Sequence, residues 1–228
     1  MVQAIGVTRP GGPEALGELD LAAEPIGPGQ VRIRVTSATV NPVDAMVRSR
    51  PRQDEADEVR VPGMEVAGVI TEIGPAADRA FTAGEAVMAI VVPSGGHGGY
   101  RADLVVPARS VAKIPAGLSE VQAATIPMNG LLDAAALEAA VLPAVKDGGT
   151  VVTVRGYRGD GTGRIRVAPV FVRDYAEAAA ELDRLAELAG EGRLTVRVAG
   201  RLPASRAADA HRSLGQRGVR GRFVLRFD

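Results

Sequence analysis

Apolar positions recur in short bursts along the first 126 residues. Residues 31–35 (VRIRV) alternate apolar and charged, the period of a half-buried strand. Residues 64–73, bounded by Gly63 and Gly74, form a second apolar stretch, and 86–92 and 104–107 are two more. Short strands separated by Gly and Pro turns predict a closed or nearly closed β-barrel. Residues 50–60 carry Asp54, Glu55, Asp57 and Glu58 and predict a solvated loop.

The period changes to helical over residues 131–145, an Ala-rich stretch. Residues 150–154 are β-branched and follow Asp147-Gly148-Gly149, so they predict a buried strand after a tight turn. Residues 164–172 predict another strand. Asp174 is placed to cap an amphipathic helix through Ala189, with Ala178, Leu182, Leu185 and Leu188 on one face and Gly190 and Gly192 ending it. A strand over 194–198, a helix over 205–214 and a strand over 222–227 follow. An all-β region followed by strand–helix alternation predicts two architectures in one chain.

Composition narrows the possibilities. The chain has 228 residues, 46% hydrophobic and 24% charged, with zero formal net charge. No overall field draws it to nucleic acid or an anionic membrane, and no apolar run is long enough to span a bilayer. The N-terminus lacks the apolar core of a signal peptide. With no cysteine there is neither disulfide nor thiolate chemistry, which fits a cytoplasmic protein. The last 36 residues hold nine Arg against Asp209 and Asp228. Their two readings are a solvated basic surface and a contact for a substrate carboxylate or enolate.

A series of motifs then lines up. Asn41-Pro42-Val43-Asp44 with Arg48, Pro62-Gly63-Met64-Glu65-Val66-Ala67-Gly68, and Gly84-Glu85 come first. Gly98-Gly99-Tyr100, Pro127-Met128-Asn129-Gly130, Ala210-His211 and Gly221-Arg222-Phe223-Val224-Leu225 follow in order. In this order they resemble the zinc-independent quinone oxidoreductases of the medium-chain dehydrogenase/reductase superfamily. The resemblance implies a mixed α/β fold, a GroES-like β-barrel of residues 1–126 and 199–228 plus a Rossmann-type domain. Of the latter only a truncated remnant, 127–198, is expected. The G-x-G-x-x-G fingerprint that should follow Leu131 is missing, and the glycines of 156–163 (GYRGDGTG) have another spacing. A gap of about 90 residues, on the order of three strand–helix–strand steps, would remove the pyrophosphate cradle. No cofactor is expected. In the zinc-dependent relatives the positions of Asn41 and Met64 hold a Cys and a His, so no catalytic zinc of the usual kind is expected either.

The resemblance places Asn41, Asp44, Tyr100, Met128 and Asn129 around a cleft between the domains. Asn41 either orients a substrate carbonyl or caps the turn before Pro42. Asp44 either serves catalysis or holds that turn. His97 is a loop acid/base or a solvated histidine, Tyr100 is part core and part site, and His211 is structural. The catalytic candidates are thus Asn41, Asp44, His97 and Tyr100. The carboxyl ends of parallel strands face ligand crevices, which adds Arg155, Tyr157 and Phe171 to Met46, Met128 and Asn129 as substrate-binding candidates. With the nucleotide half gone, an elongated apolar pocket is expected there, suited to a small-molecule substrate that is a long, flexible hydrophobic chain better than to a small quinone.

These expectations lead to a cofactor-independent cyclase that closes rings of a linear polyketide-like chain by conformational control, a [4+2] cycloaddition included. The alternatives are a residual NADPH-dependent quinone oxidoreductase and a non-catalytic binding partner on the same scaffold. A homodimer through the strand at 164–172 is expected, because a two-stranded remnant leaves an edge open.

Overall fold

The structure is a computed structural model that describes residues 1–49, 59–92, 97–128, 142, 145–153, 163–214, 216 and 219–227. Its organising element is β3 (Gln30–Val40). Along its first half, buried and less buried residues alternate from Val31 to Val35, as the sequence predicts. From Ser37 onward both faces are covered. One edge of β3 pairs antiparallel with β4 (Glu65–Ile73). The other edge is shared: β6 (Asp103–Pro107) takes Gln30 to Arg34, and β11 (Arg222–Arg226) takes Ser37 to Val40.

Beyond β4 lie β5 (Ala86–Ile90) and β7 (Val111–Lys113), and β10 (Val198–Pro203) runs parallel to β11 at the far end. The end of the chain thus returns to the sheet that its beginning builds. β1 (Val2–Gly6) and β2 (Gly17–Leu21) form their own antiparallel pair. They reach the rest through single bridges, Ala4 to Arg101 and Val7 to Arg60. Among the described residues the large sheet therefore does not close, and its path ends on β10 and β7. The expected closed or nearly closed barrel is corrected, among the described residues, to an open, branched sheet. The strand that would continue it, β2, is largely solvent-exposed and pairs with β1 alone.

The second region contributes β8 (Thr150–Thr153) and β9 (Arg166–Pro169), a parallel pair. The helix expected from Asp174 starts later. Residues Val172–Tyr175 form a 3-10 turn, and the α-helix proper runs Ala179–Gly190 with Ala178 at its N-cap and no side-chain cap. Short helices at Pro42–Ser49 (α1) and Glu120–Ala123 (α2) precede this helix (α3), and Ala207–Leu214 (α4) follows it. The expected strand at 194–198 is displaced to β10, where the parallel partner β11 supplies its hydrogen bonds. The helix expected at 131–145 lies outside the described residues.

Two apolar clusters result. One fills the sheet around Ile33, Val35, Ile70, Leu104 and Leu225. The other packs Leu182, Ala186 and Ala189 of α3 and Val172 against Met64, Met88, Ile90, Ala112 and Met128. The second cluster joins the two regions.

Candidate functional site

The site is built where β3 runs out. Asn41 follows its last residue, and Pro42 opens α1 with a fixed φ and no N–H to lose. Asp44 N–H donates to Asn41 O at 3.0 Å. The Asp44 carboxylate reaches back and accepts from Asn41 N–H at 2.7 Å, the acidic half of a capping box. Its other oxygen accepts from Gly63 N–H at 2.9 Å. Gly63 has φ of +108°, and a Cβ there would lie 2.7 Å from the Tyr100 ring and 2.8 Å from the Gly99 nitrogen. Only glycine fits this corner.

Tyr100, held by Tyr100 N–H to Pro62 O at 2.9 Å, donates its hydroxyl to Asp44 Oδ2 at 3.2 Å. That hydroxyl also lies 3.3 Å from His211 Nε2 on α4, whose ring meets the tyrosine edge-on at 87°. Alongside, Glu65 at the start of β4 accepts from Asn41 Nδ2 at 3.1 Å and from Met128 N–H at 2.8 Å. Thr39 closes the group by donating to Ala124 O at 2.8 Å. Five segments far apart in sequence are thus tied at one end of the sheet.

The electrostatics follow from burial. Asp44 and Glu65 are fully buried. Desolvation pushes the Asp44 carboxyl up to about 7, against the pull of its three donors, and the negative Glu65 adds to the rise. Burial raises Glu65 too, opposed by Met128 N–H, Asn41, Thr39 and the charge of Arg222. Tyr100 is held well above its ordinary value by burial and by Asp44. Burial and the Arg48 guanidinium lower His211 to about 4. At neutral pH the imidazole is neutral and Asp44 sits near its midpoint.

The structure brings Asn41, Asp44 and Tyr100 together and separates the other candidates. His97 is half-buried near Arg101 and Glu24, whose bidentate pair spans 2.8 and 2.9 Å. Met46 is 38% exposed, Met128 is buried in the second apolar cluster, and Phe171 is half-buried with the Arg173 guanidinium 4.9 Å from its ring centre. Asn129, Arg155 and Tyr157 lie outside the described residues. The expected elongated pocket shared by Met46, Met128 and Phe171 is not formed by these placements. A shallow cavity of about 620 Å³ lies instead between β7 and α3, lined by Arg79, Phe81, Lys113, Pro115, Asp183 and Glu187. Sequence reasoning missed Glu65 and His211 as members of the cluster. Glu65 does carry a signal in the sequence: it is a single acid inside an apolar run that paired strands would bury. For His211 nothing local could tell, because its partner is 111 residues away.

The open sheet ending on a strand-to-helix polar cluster, with a parallel pair and helix packed beside it, has the fold of the medium-chain dehydrogenases/reductases, an enzyme superfamily. Within it, the alcohol dehydrogenase GroES-like domain model matches residues 27–116 and the zinc-binding dehydrogenase model matches 119–225. The human quinone oxidoreductase is 33% identical over 160 residues, 70% of this chain and 46% of that protein. A pikromycin polyketide synthase component of Streptomyces venezuelae is 35% identical over 108 residues, 47% of this chain and 3% of that protein. The chain spans less than half the length of these curated relatives. A mycobacterial protein solved complexed with NADPH superposes with a TM-score of 0.74 at 20% identity, over all of both chains.

These matches correct two expectations. The truncated remnant is overturned, because the dehydrogenase model matches residues 119–225, which include all of 127–198, and the structural likeness spans both chains. The cofactor-independent cyclase falls with it, since that reading rested on a lost nucleotide half. Among the described residues no phosphate cradle is complete: Gly148 N–H is taken by Arg164 O at 2.8 Å and Gly149 N–H by Lys146 O at 2.9 Å. Among the described residues there is also no group of three His, Cys, Asp or Glu placed to hold a metal ion, and no helix long and apolar enough to cross a membrane.

Proposed function

We propose that the protein is a reductase of the quinone-oxidoreductase type, acting with NADPH on a quinone or a similarly conjugated small carbonyl compound. The observation that carries this reading is the Asn41–Asp44–Glu65 cluster. It sits on the motif series shared with that superfamily, inside the range 27–116 that the GroES-like model matches, in a chain whose residues 119–225 match the dehydrogenase model. The human quinone oxidoreductase and the mycobacterial NADPH complex support the substrate class and the nucleotide.

The cluster's part in such chemistry is positional. Glu65 fixes the Met128 backbone to β4, and Asp44 fixes the 61–64 corner to α1, so both walls beside the second apolar cluster are held from a dry interior. A second copy of the chain would pair at the free edge of β9, which has only β8 beside it among the described residues. Light scattering at micromolar concentration would give a dimer mass, and a monomer would refute that pairing. The reading itself is tested by mixing protein, NADPH and a soluble quinone and following the loss of nicotinamide absorbance. Quinone-dependent oxidation above the protein-free rate is expected. A rate equal to that control, with the protein folded, overturns it.

A further inference from the structure

The cavity between β7 and α3 lies apart from the polar cluster at the end of β3, and two contacts set its extent. At the C-terminal end of α3, a Cβ on Gly190 would lie 3.0 Å from Pro115, so the helix touches the chain after β7 there. Earlier along the same helix, the Arg79 guanidinium holds Asp183 through bonds of 2.6 and 2.8 Å. Asp183 and Gly190 stand about 10 Å apart along the axis, at roughly 1.5 Å per residue. The cavity of about 620 Å³ lies along that span and falls within the size range of small-molecule sites.

Its apolar wall comes from Phe81, Ala186 and Pro115, and its charges are uneven. Asp78, Asp183 and Glu187 line it together with Arg79 and Lys113. Four of these five already have partners: Arg79 holds Asp183, Lys113 holds Glu85 at 2.6 Å, and Asp78 meets Arg109 at 3.2 Å. Glu187 is exposed and has no ion-pair or hydrogen-bond partner among the described residues. It follows Asp183 by one helical turn, a like-charge spacing that destabilises a helix. The Phe81 ring is engaged as well, with the Arg79 guanidinium 5.3 Å and the Lys113 ammonium 6.0 Å from its centre. One carboxylate at the edge of an apolar wall is therefore left over.

We propose that this cavity binds a small organic cation, an ammonium group carried on an apolar body. The ammonium pairs with Glu187, and the body covers Phe81, Ala186 and Pro115. An anion is disfavoured, because Arg79 or Lys113 would have to give up its carboxylate to meet it. A bare metal ion is disfavoured too, since no three carboxylates or imidazoles converge among the described residues. A ligand here touches α3, the chain after β7 and the loop between β4 and β5 at once. It ties the second region to the sheet beside the Arg79–Asp183 pair, so occupancy slows amide exchange in α3.

Phenethylammonium, 2-phenylethanol and phenylacetate share a near-identical apolar body and differ in charge. Each is titrated into ¹⁵N-labelled protein at constant ionic strength and followed by amide chemical shifts. Phenethylammonium should give saturable shifts at Phe81, Lys113, Ala186 and Glu187. The alcohol should move the same amides with an affinity about three- to five-fold lower, the share of one partly exposed ion pair, and phenylacetate should bind more weakly still. Glu187→Gln should bring the cation down to the level of the alcohol. Glu181→Gln, on the opposite side of α3, should leave the preference intact. Phenylacetate binding as tightly as phenethylammonium overturns the site, as do shifts that fail to saturate or that scatter away from these amides. An unchanged preference in Glu187→Gln, or an equal loss in Glu181→Gln, overturns it as well. The wild-type comparison of the probes decides even where a variant fails to fold.

Discussion

The β3-centred sheet and the β8–β9–α3 region bury their polar groups in opposite ways. At the end of β3, two carboxyls, a tyrosine, an asparagine and a histidine are taken out of water and tied to one another and to backbone donors. In the second region the ion pairs stay at the surface, such as Arg164 with Asp147 and Arg193 with Glu191. It is joined to the sheet by apolar packing and by the Arg79–Asp183 pair at 2.6 Å. Desolvation therefore sets the chemistry of the first region, and packing sets the placement of the second.

The largest effect expected from this contrast concerns two glycines with positive φ. Gly63→Ala puts a Cβ against the Tyr100 ring and two backbone nitrogens at the polar cluster, whereas Gly148→Ala, φ +73°, meets open space. Chemical denaturation should show a loss of more than about 3 kcal/mol for the first, from overpacking plus a strained φ. For the second it should show about 1–2 kcal/mol, from the left-handed backbone alone. Equal losses would mean that the corner at Gly63 yields.

Next comes Glu65→Gln. A glutamine offers one acceptor oxygen to the two donors, Asn41 Nδ2 and Met128 N–H. One of them is left facing an NH₂ in a dry site, for a loss of about 1–3 kcal/mol. Amide exchange at Met128 should accelerate, and an unchanged Met128 rate would show that this tie is slack.

Two members of the cluster oppose each other with pH. Asp44 is raised from 3.8 to about 7, so its contribution to stability is fully present below about pH 4 and is lost as the pH climbs through 7. His211 is lowered from 6.5 to about 4, so its contribution is present above pH 6.5 and lost as the pH falls through 4. In their shared window the two slopes partly cancel. Relative to wild type, Asp44→Asn should tilt the stability profile upward with pH and His211→Gln should tilt it downward. Each tilt should be on the order of 2 kcal/mol across the window. Denaturation midpoints at a series of pH values between those limits check the sign, and tilts in the same direction would refute it.

The smallest effect belongs to the second region. Arg79→Ala removes a partly exposed bidentate pair to Asp183, at 2.6 and 2.8 Å, worth no more than about 1 kcal/mol. Hydrogen exchange should quicken in α3 while β3 and β4 stay protected.

The same contrast explains what the sequence made legible. Alternation along residues 31–35 exposed the half-buried part of β3, because one face meets the core and the other does not. It faded from Ser37 onward, where both faces are covered, and so the true length of the strand was hidden. The sequence motif placed Asn41 and Asp44 together because their bond spans three residues. Tyr100, Glu65 and His211 join them only through strand pairing and helix packing. Asp174 reads as a helix cap by type, yet the chain makes a 3-10 turn there and the helix starts at Ala179. The missing fingerprint suggests a missing half, but one loop is a small part of the stretch 119–225 that carries the likeness to a dehydrogenase domain.

The most direct test of the account is calorimetric titration of the full chain with NADPH. It predicts one-to-one binding with a micromolar dissociation constant, followed by oxidation of the bound nucleotide when a quinone is added. No heat of binding at millimolar NADPH, with the protein folded, would contradict the reductase assignment.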